Sequence, residues 1–127
     1  MRVHLELSGS GPPIVFTHGI GSSLETWAAL TGILSASYTT AAWDLLGHRN
    51  SPVLDDPAQY TRDRVLGDLD DVIAAAVEAS DGSQPVLVGH SLGGYLTLAH
   101  GATRPGSSRA LVAFATGPGY RLSLIHI

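Results

Sequence analysis

One short turn, GHSLG at residues 89–93, constrains the fold more than any other part of this 127-residue sequence. It follows an apolar run at 85–88 and leads into a segment rich in small residues at 92–103. A Gly-x-Ser-x-Gly pattern between a strand and a helix is typical of a nucleophile elbow, a sharp turn that presents a serine hydroxyl. Glycines at both ends let the strand and the helix approach without Cβ atoms between them. We therefore predict that Ser91 is a catalytic nucleophile.

Apolar runs alternate with amphipathic segments along the rest of the chain. Residues 14–16 are apolar throughout, as expected of a strand that is buried on both faces of a sheet, and 110–115 form a final apolar strand that would lie at an open edge. Residues 60–79 carry apolar side chains at steps of three and four, which predicts a helix. The predicted strands are 3–7, 14–16, 38–43, 85–88 and 110–115, and the predicted helices are 22–34, 60–79 and 92–103. This order predicts an α/β fold, with a mostly parallel sheet and helices on both faces.

Composition excludes several classes of protein. Hydrophobic residues make up 44% and charged residues 14%, which is typical of a globular chain. The net charge is −4 and the basic residues are scattered, which argues against a nucleic-acid partner. The sequence has no cysteine and no phosphate-binding glycine motif, so we expect no metal and no organic cofactor. It has no apolar run long enough for a membrane span and no signal-peptide pattern, so we expect a cytoplasmic protein.

Four motifs together resemble the α/β-hydrolase superfamily, in its esterase-like serine hydrolase branch. SGSGPP at 8–13 precedes a buried strand, and HGIGSS at 18–23 is similar to the family's HGxGSS loop. DLLGHRNS at 44–51 is similar to its DxxGxGxS loop, and GHSLGG at 89–94 is the elbow. The resemblance covers residues 3–121. It implies that residues 1–121 are the N-terminal part of an α/β-hydrolase domain, with an incomplete form of that fold.

The resemblance also implies roles for particular residues. The backbone N–H groups of Ile20 and Leu92 would form the oxyanion hole, which stabilises the negative oxygen of a tetrahedral intermediate. Residues that would support the elbow and the loop are His18, Gly19, Gly89, His90 and Gly93. Arg49 stands where the family loop usually has its second glycine. This departure bears on the local backbone conformation and not on the chemistry.

A serine hydroxyl needs a base, and in this family the chain order is serine, then acid, then histidine. None of the six histidines stands where the triad histidine is expected: His4, His18, His48, His90, His100 and His126. Asp44 matches the supporting loop rather than the acid. We therefore expect a fragment that lacks both partners of Ser91 and is nearly inactive. Residues 122–127, LSLIHI, resemble a translated sequencing adapter, so we expect them to be a non-native tail.

The leading interpretation is a hydrolase that forms an acyl-enzyme on Ser91. Its substrate would be a small molecule, either a carboxylic ester or a thioester. A C–C bond hydrolase, a lactonase, a cofactor-free haloperoxidase and a non-catalytic ligand-binding protein of the same fold are the alternatives. The epoxide-hydrolase and dehalogenase branches are disfavoured, because they carry aspartate where Ser91 stands.

Overall fold

A computed structural model describes residues 1–117, and five strands form one sheet within that range. The strands are β1 (Leu5–Ser8), β2 (Pro13–Thr17), β3 (Thr39–Trp43), β4 (Val86–His90) and β5 (Ala110–Phe114). Their spatial order is β1-β3-β2-β4-β5. β1 is antiparallel to β3, and the other three pairs are parallel. The mostly parallel sheet predicted from the sequence is confirmed.

Helices cover both faces of the sheet, which confirms the second part of the fold prediction. The α-helices are α1 (Ala28–Leu34), α2 (Arg62–Glu78) and α3 (Leu92–Thr103), and short 3-10 helices lie at Leu24–Trp27 and Pro57–Gln59. Apolar side chains of α2 and α3 pack on one face, in a cluster that includes Trp43, Leu69, Leu87 and Leu96. The segment that leads into α1 packs on the other face, in a smaller cluster that includes Phe16 and Trp27. This layered arrangement brings the carboxyl ends of β2, β3 and β4 to one edge.

The structure corrects three details of the sequence prediction. Ser22, with Glu25 three residues later, predicts a capping box, but Ser23 is the cap: its backbone is extended and its side chain accepts from the Glu25 N–H. β4 continues beyond the predicted 85–88 to His90, because its pairing with β5 extends to Phe114. The alternation of Val3, Leu5 and Leu7 in the sequence predicts one buried face for β1, but Leu7 is 45% exposed, since β1 is the edge strand beside β3. The predicted boundary at 121 and the tail at 122–127 lie outside the described residues.

Candidate functional site

Ser91 occupies a strained turn between a strand and a helix. His90 ends β4 and Leu92 begins α3, and Ser91 between them has φ 55° and ψ −120°. A residue with a side chain adopts such positive φ values only where the surrounding structure enforces them. Two backbone hydrogen bonds do so here: Ser91 N–H donates to the Phe114 carbonyl (3.1 Å), and Tyr95 N–H donates to the Ser91 carbonyl (3.0 Å).

Two glycines let α3 pack directly on the strands beneath it. A Cβ atom at Gly89 would overlap the carbonyl oxygen of Gly93, and one at Gly93 would overlap the carbonyl oxygen of Thr17. Both overlaps are with backbone atoms, which cannot move aside as a flexible side chain can. The position of Ser91 therefore follows from a backbone-to-backbone contact that only glycine allows at 89 and 93.

The loop after β2 meets the elbow at Gly19. A Cβ atom placed on Gly19 would lie 3.2 Å from the Ser91 Cβ and 3.3 Å from the His90 carbonyl oxygen. Ile20 is 52% exposed, so its side chain contributes little to packing at this contact. Within residues 1–117, the N–H groups of Ile20 and Leu92 and the Ser91 hydroxyl make no hydrogen bond. Three unused polar groups thus lie along one short stretch of the sheet edge.

His18 fixes the start of this loop from inside the protein. Its ring is buried, and Nε2 accepts the Leu45 N–H at 3.0 Å. Because Nε2 is an acceptor, the proton of the neutral ring is on Nδ1, which donates to the Gly19 carbonyl at 2.6 Å. Burial lowers the pKa of His18, although the bond to Gly19 acts in the opposite direction. A neutral His18 therefore joins the loops that follow β2 and β3.

Asp44 and His48 connect the same two loops by further backbone contacts. The buried Asp44 carboxylate accepts the Leu24 N–H through Oδ1 (2.8 Å) and the Asn50 N–H through Oδ2 (3.2 Å). His48 Nε2 accepts the Gly21 N–H at 3.0 Å. Both side chains are thus committed to backbone donors, which agrees with the sequence-based assignment of Asp44 to loop support.

Arg49 keeps a glycine-like backbone conformation. Its φ is 40°, in the left-handed region that glycine adopts without strain. The guanidinium of Arg49 bonds the Glu25 carboxylate at 2.9 Å, and both side chains are more than half exposed. The departure from the family pattern therefore leaves the turn in place and adds strain to it.

The other histidines of the described chain lie away from the serine hydroxyl or face other partners. His4 contacts Glu6 (3.0 Å), and the His90 ring packs 5.5 Å from the Phe114 ring between centroids. No histidine among residues 1–117 hydrogen-bonds the Ser91 hydroxyl. His126 lies outside the described residues.

Sequence reasoning missed a charged cluster that joins α2 to α3. His100 Nε2 lies 2.8 Å from Asp70 Oδ1, and Arg104 Nη2 lies 2.8 Å from Asp70 Oδ2. Burial raises the pKa of Asp70, but the bonds from Arg104 and His100 outweigh it and the pKa is lowered. His100 lies on α3 and Arg104 at its C-cap, and their four-residue spacing was the available sequence signal. Asp70 lies on α2, and only the tertiary fold brings it to His100 and Arg104.

The described part of the chain shows no cluster of metal-ligating side chains and no membrane-spanning helix. Across residues 1–117, His, Asp and Glu side chains never gather in groups of three that could ligate an ion. In the same range, each helix is too short or too polar to cross a bilayer.

Comparison with known proteins identifies the family. A family model described as the alpha/beta hydrolase family matches residues 14–126, and the chain belongs to that family. It is 36% identical over 94 residues to an uncharacterized protein of Mycobacterium tuberculosis, covering 73% of this chain and 26% of that protein. It is 34% identical over 118 residues to a 2-(acetamidomethylene)succinate hydrolase of Mesorhizobium japonicum, covering 93% of this chain and 40% of that enzyme. The chain thus spans well under half the length of these relatives.

Solved structures of the same fold include enzymes with different names. An epoxide hydrolase from Vigna radiata superposes with a TM-score of 0.79 at 26% identity, over 87% of this chain and 34% of that chain. A monoacylglycerol lipase from Paleococcus ferrophilus gives a TM-score of 0.77 at 25% identity, over 99% of this chain and 50% of that chain. The same fold thus occurs in an epoxide hydrolase and in a lipase.

Proposed function

We propose that this chain carries the nucleophile and the oxyanion hole of a serine hydrolase that works through an acyl-enzyme on Ser91. The proposal depends on one observation at Ser91. Its backbone has positive φ immediately before α3 and lies next to Gly19, and its hydroxyl makes no hydrogen bond among the described residues. A hydroxyl kept in a strained turn and left without a partner is expected of a reactive group and not of a structural one.

In the proposed reaction, Ser91 Oγ attacks a carbonyl carbon while a base takes its proton. The carbonyl electron pair moves to oxygen, and the Leu92 and Ile20 N–H groups donate to that oxyanion. The amino end of α3 adds a favourable field. The intermediate then collapses, the alcohol or thiol leaves with the proton, and an ester on Ser91 remains. Water hydrolyses this ester and regenerates the hydroxyl.

The chemistry of serine favours a carbonyl substrate over an epoxide, although some relatives are named epoxide hydrolases. A carboxylate that opens an epoxide forms an ester, which water can cleave. A serine oxygen that opened an epoxide would form an ether, which is not hydrolysed under the same conditions. With Ser91 at the elbow, a small carboxylic ester or thioester is the substrate class that permits turnover.

We infer that the base and the acid come from residues outside 1–117. His18 and His48 use their ring nitrogens on backbone groups, and His100 is paired with Asp70. The curated relatives are more than twice as long as the aligned region, which leaves room for both groups. Residues 1–127 alone should therefore have little activity. We also propose a cytoplasmic location, on the sequence grounds given above.

Burst kinetics test this function in the protein encoded by the full reading frame of the source gene. With a nitrophenyl ester, we expect a burst of nitrophenol that equals the enzyme concentration, followed by slower turnover. Ser91→Ala should remove the burst and lower kcat/KM by at least a thousandfold. Ser107→Ala, at a serine in the loop after α3, is the control and should change neither. A Ser91→Ala enzyme that keeps its burst would refute the proposal. An intact protein that binds esters without hydrolysing them would favour the ligand-binding alternative.

A further inference from the structure

An apolar cavity lies beside the proposed oxyanion hole. Its volume is about 40 Å³, and it lies between the loop after β3, the start of α2 and the first turns of α3. Its apolar wall consists of Leu45, Leu46, Val65, Leu92 and Leu96. The sequence motifs gave no indication of it, because its walls come from three separate segments.

The cavity touches one proposed oxyanion donor residue, Leu92, and is linked to the loop of the other through His48. Leu92 contributes its backbone N–H to the site and its side chain to the cavity wall. His48 also lines the cavity, and it holds Gly21, the residue after Ile20. A group bound to Ser91 with its carbonyl oxygen between the two N–H groups would have its remaining chain close to this opening.

The polar groups around the cavity already have partners within the protein. The Tyr60 hydroxyl accepts the Leu54 N–H at 2.6 Å, and both His48 nitrogens face backbone groups. Arg62 at the rim donates to the Tyr95 hydroxyl at 3.4 Å. Because most of the wall is aliphatic, the cavity offers a ligand mainly apolar contact. It suits an aliphatic chain better than a sugar, a phosphate or a polar amide.

Its size restricts the length of that chain. About 10–15 Å³ of such space holds one water-sized group, so about three such groups fit in the cavity. We propose that the cavity is the acyl subsite of the hydrolase and binds a short, unbranched aliphatic acyl chain with about three carbons beyond the carbonyl. This inference rests on the proposed function and names its substrate class.

A series of nitrophenyl esters from acetate to octanoate tests the subsite in the full reading-frame protein. Each added methylene that enters the cavity should raise kcat/KM by about fourfold, because its removal from water is favourable. The rise should end near butanoate or pentanoate, and kcat/KM should fall for longer chains.

Val65 is the wall residue to vary, because it is only partly buried and tolerates change better than Leu96. Val65→Phe should fill the cavity and lower the ratio of kcat/KM for butanoate to kcat/KM for acetate at least tenfold. Val65→Ala should move the optimum to longer chains by about one carbon. Ile33→Ala, at a 71% exposed side chain on α1, is the matched control and should leave the profile unchanged.

Two outcomes separate this inference from the proposed function. A normal burst on Ser91 with a chain-length profile that neither Val65 variant alters would overturn the acyl subsite and leave the serine hydrolase in place. Absence of any burst with every ester would overturn the proposed function, and the subsite with it.

Discussion

Ser91 and Arg49 both adopt positive φ at the carboxyl edge of the sheet, but the protein holds them in different ways. Ser91 has φ 55° and Arg49 has φ 40°. Ser91 is enclosed by β4, α3 and the loop at Gly19, with backbone bonds on both sides. Arg49 lies on an exposed loop, and its side chain reaches only an exposed carboxylate on Glu25.

Ser91 shows backbone strain imposed by packing at the proposed nucleophile, whereas Arg49 shows strain where the family loop usually has glycine. At Ser91 the conformation is imposed by packing that only glycines at 89 and 93 permit, and the hydroxyl is presented as a result. At Arg49 the turn is imposed by the Asp44 carboxylate, which holds the next residue, Asn50, by its N–H. Glycine at 49 would satisfy that turn equally well. We therefore expect a Cβ added at 93, next to Ser91, to destabilise the fold, and glycine at 49 to stabilise it.

The largest expected effect is at Gly93, whose missing Cβ allows the elbow to form. Gly93→Ala places a Cβ on the Thr17 carbonyl oxygen, so α3 must move away from β2. We expect a loss of about 3 kcal/mol or more in the free energy of unfolding, measured by urea denaturation. Gly67→Ala, in α2 where a Cβ would meet nothing within 4 Å, is the control. It should be neutral or stabilising by up to about 1 kcal/mol. Equal free energies of unfolding for the two variants would show that close packing of α3 on β2 does not require glycine at 93.

The next effect is at Asp44, on which the Arg49 turn depends. Asp44→Ala leaves the Leu24 and Asn50 N–H groups without their acceptors in a buried site. We expect a loss of about 3 kcal/mol, because buried unpaired donors are costly. Asp55→Ala, an exposed aspartate in the same loop region, should change stability by less than about 0.5 kcal/mol. Similar stabilities for both variants would show that Asp44 does not hold the loop.

A pH effect should come from His18, beneath the loop that meets Ser91. Burial lowers the pKa of His18 in the folded chain, so below its unfolded pKa of about 6.5 the unfolded chain binds the proton more readily. Stability is therefore fully present above about pH 6.5 and falls as the pH decreases toward the folded-state pKa. The slope should not exceed about 1.4 kcal/mol per pH unit for this one proton.

Urea denaturation at several pH values isolates the contribution of His18. The lowered pKa of Asp70 acts in another window, since its stabilisation is lost only as the pH falls below about 3.9. His18→Gln should be less stable at neutral pH, but its stability should fall less between pH 7 and 5. An equal loss of stability between pH 7 and 5 in wild type and variant would show that His18 does not cause the pH dependence.

The smallest effect is at Arg49 itself. Arg49→Gly relieves the left-handed strain but loses an exposed ion pair, so we expect stabilisation of only about 0.5 kcal/mol. Arg49→Ala loses the same ion pair and keeps a Cβ at positive φ. Glycine should therefore be more stable than alanine at 49 by about 1 kcal/mol in thermal or urea unfolding. Equal stability of the Arg49→Ala and Arg49→Gly variants would show that the backbone at residue 49 is not strained.

Local patterns predicted much of this molecule. The apolar run before GHSLG and the small residues after it predicted β4, α3 and the turn at Ser91, because these features depend on neighbours in sequence. Strand direction is not encoded in that way: the alternation of Leu5 and Leu7 gave no sign that β1 is antiparallel to β3. The Asp70 cluster and the cavity beside Leu92 also escaped prediction, since each joins residues about thirty or more positions apart.

The most direct test of the central claim is the location of a covalent adduct. The full reading-frame protein would be treated with a fluorophosphonate, digested and analysed by mass spectrometry. A single phosphonyl group on Ser91, absent from the Ser91→Ala variant, is the result that our account predicts. An adduct on another residue of an active enzyme, with Ser91 unmodified, would contradict it.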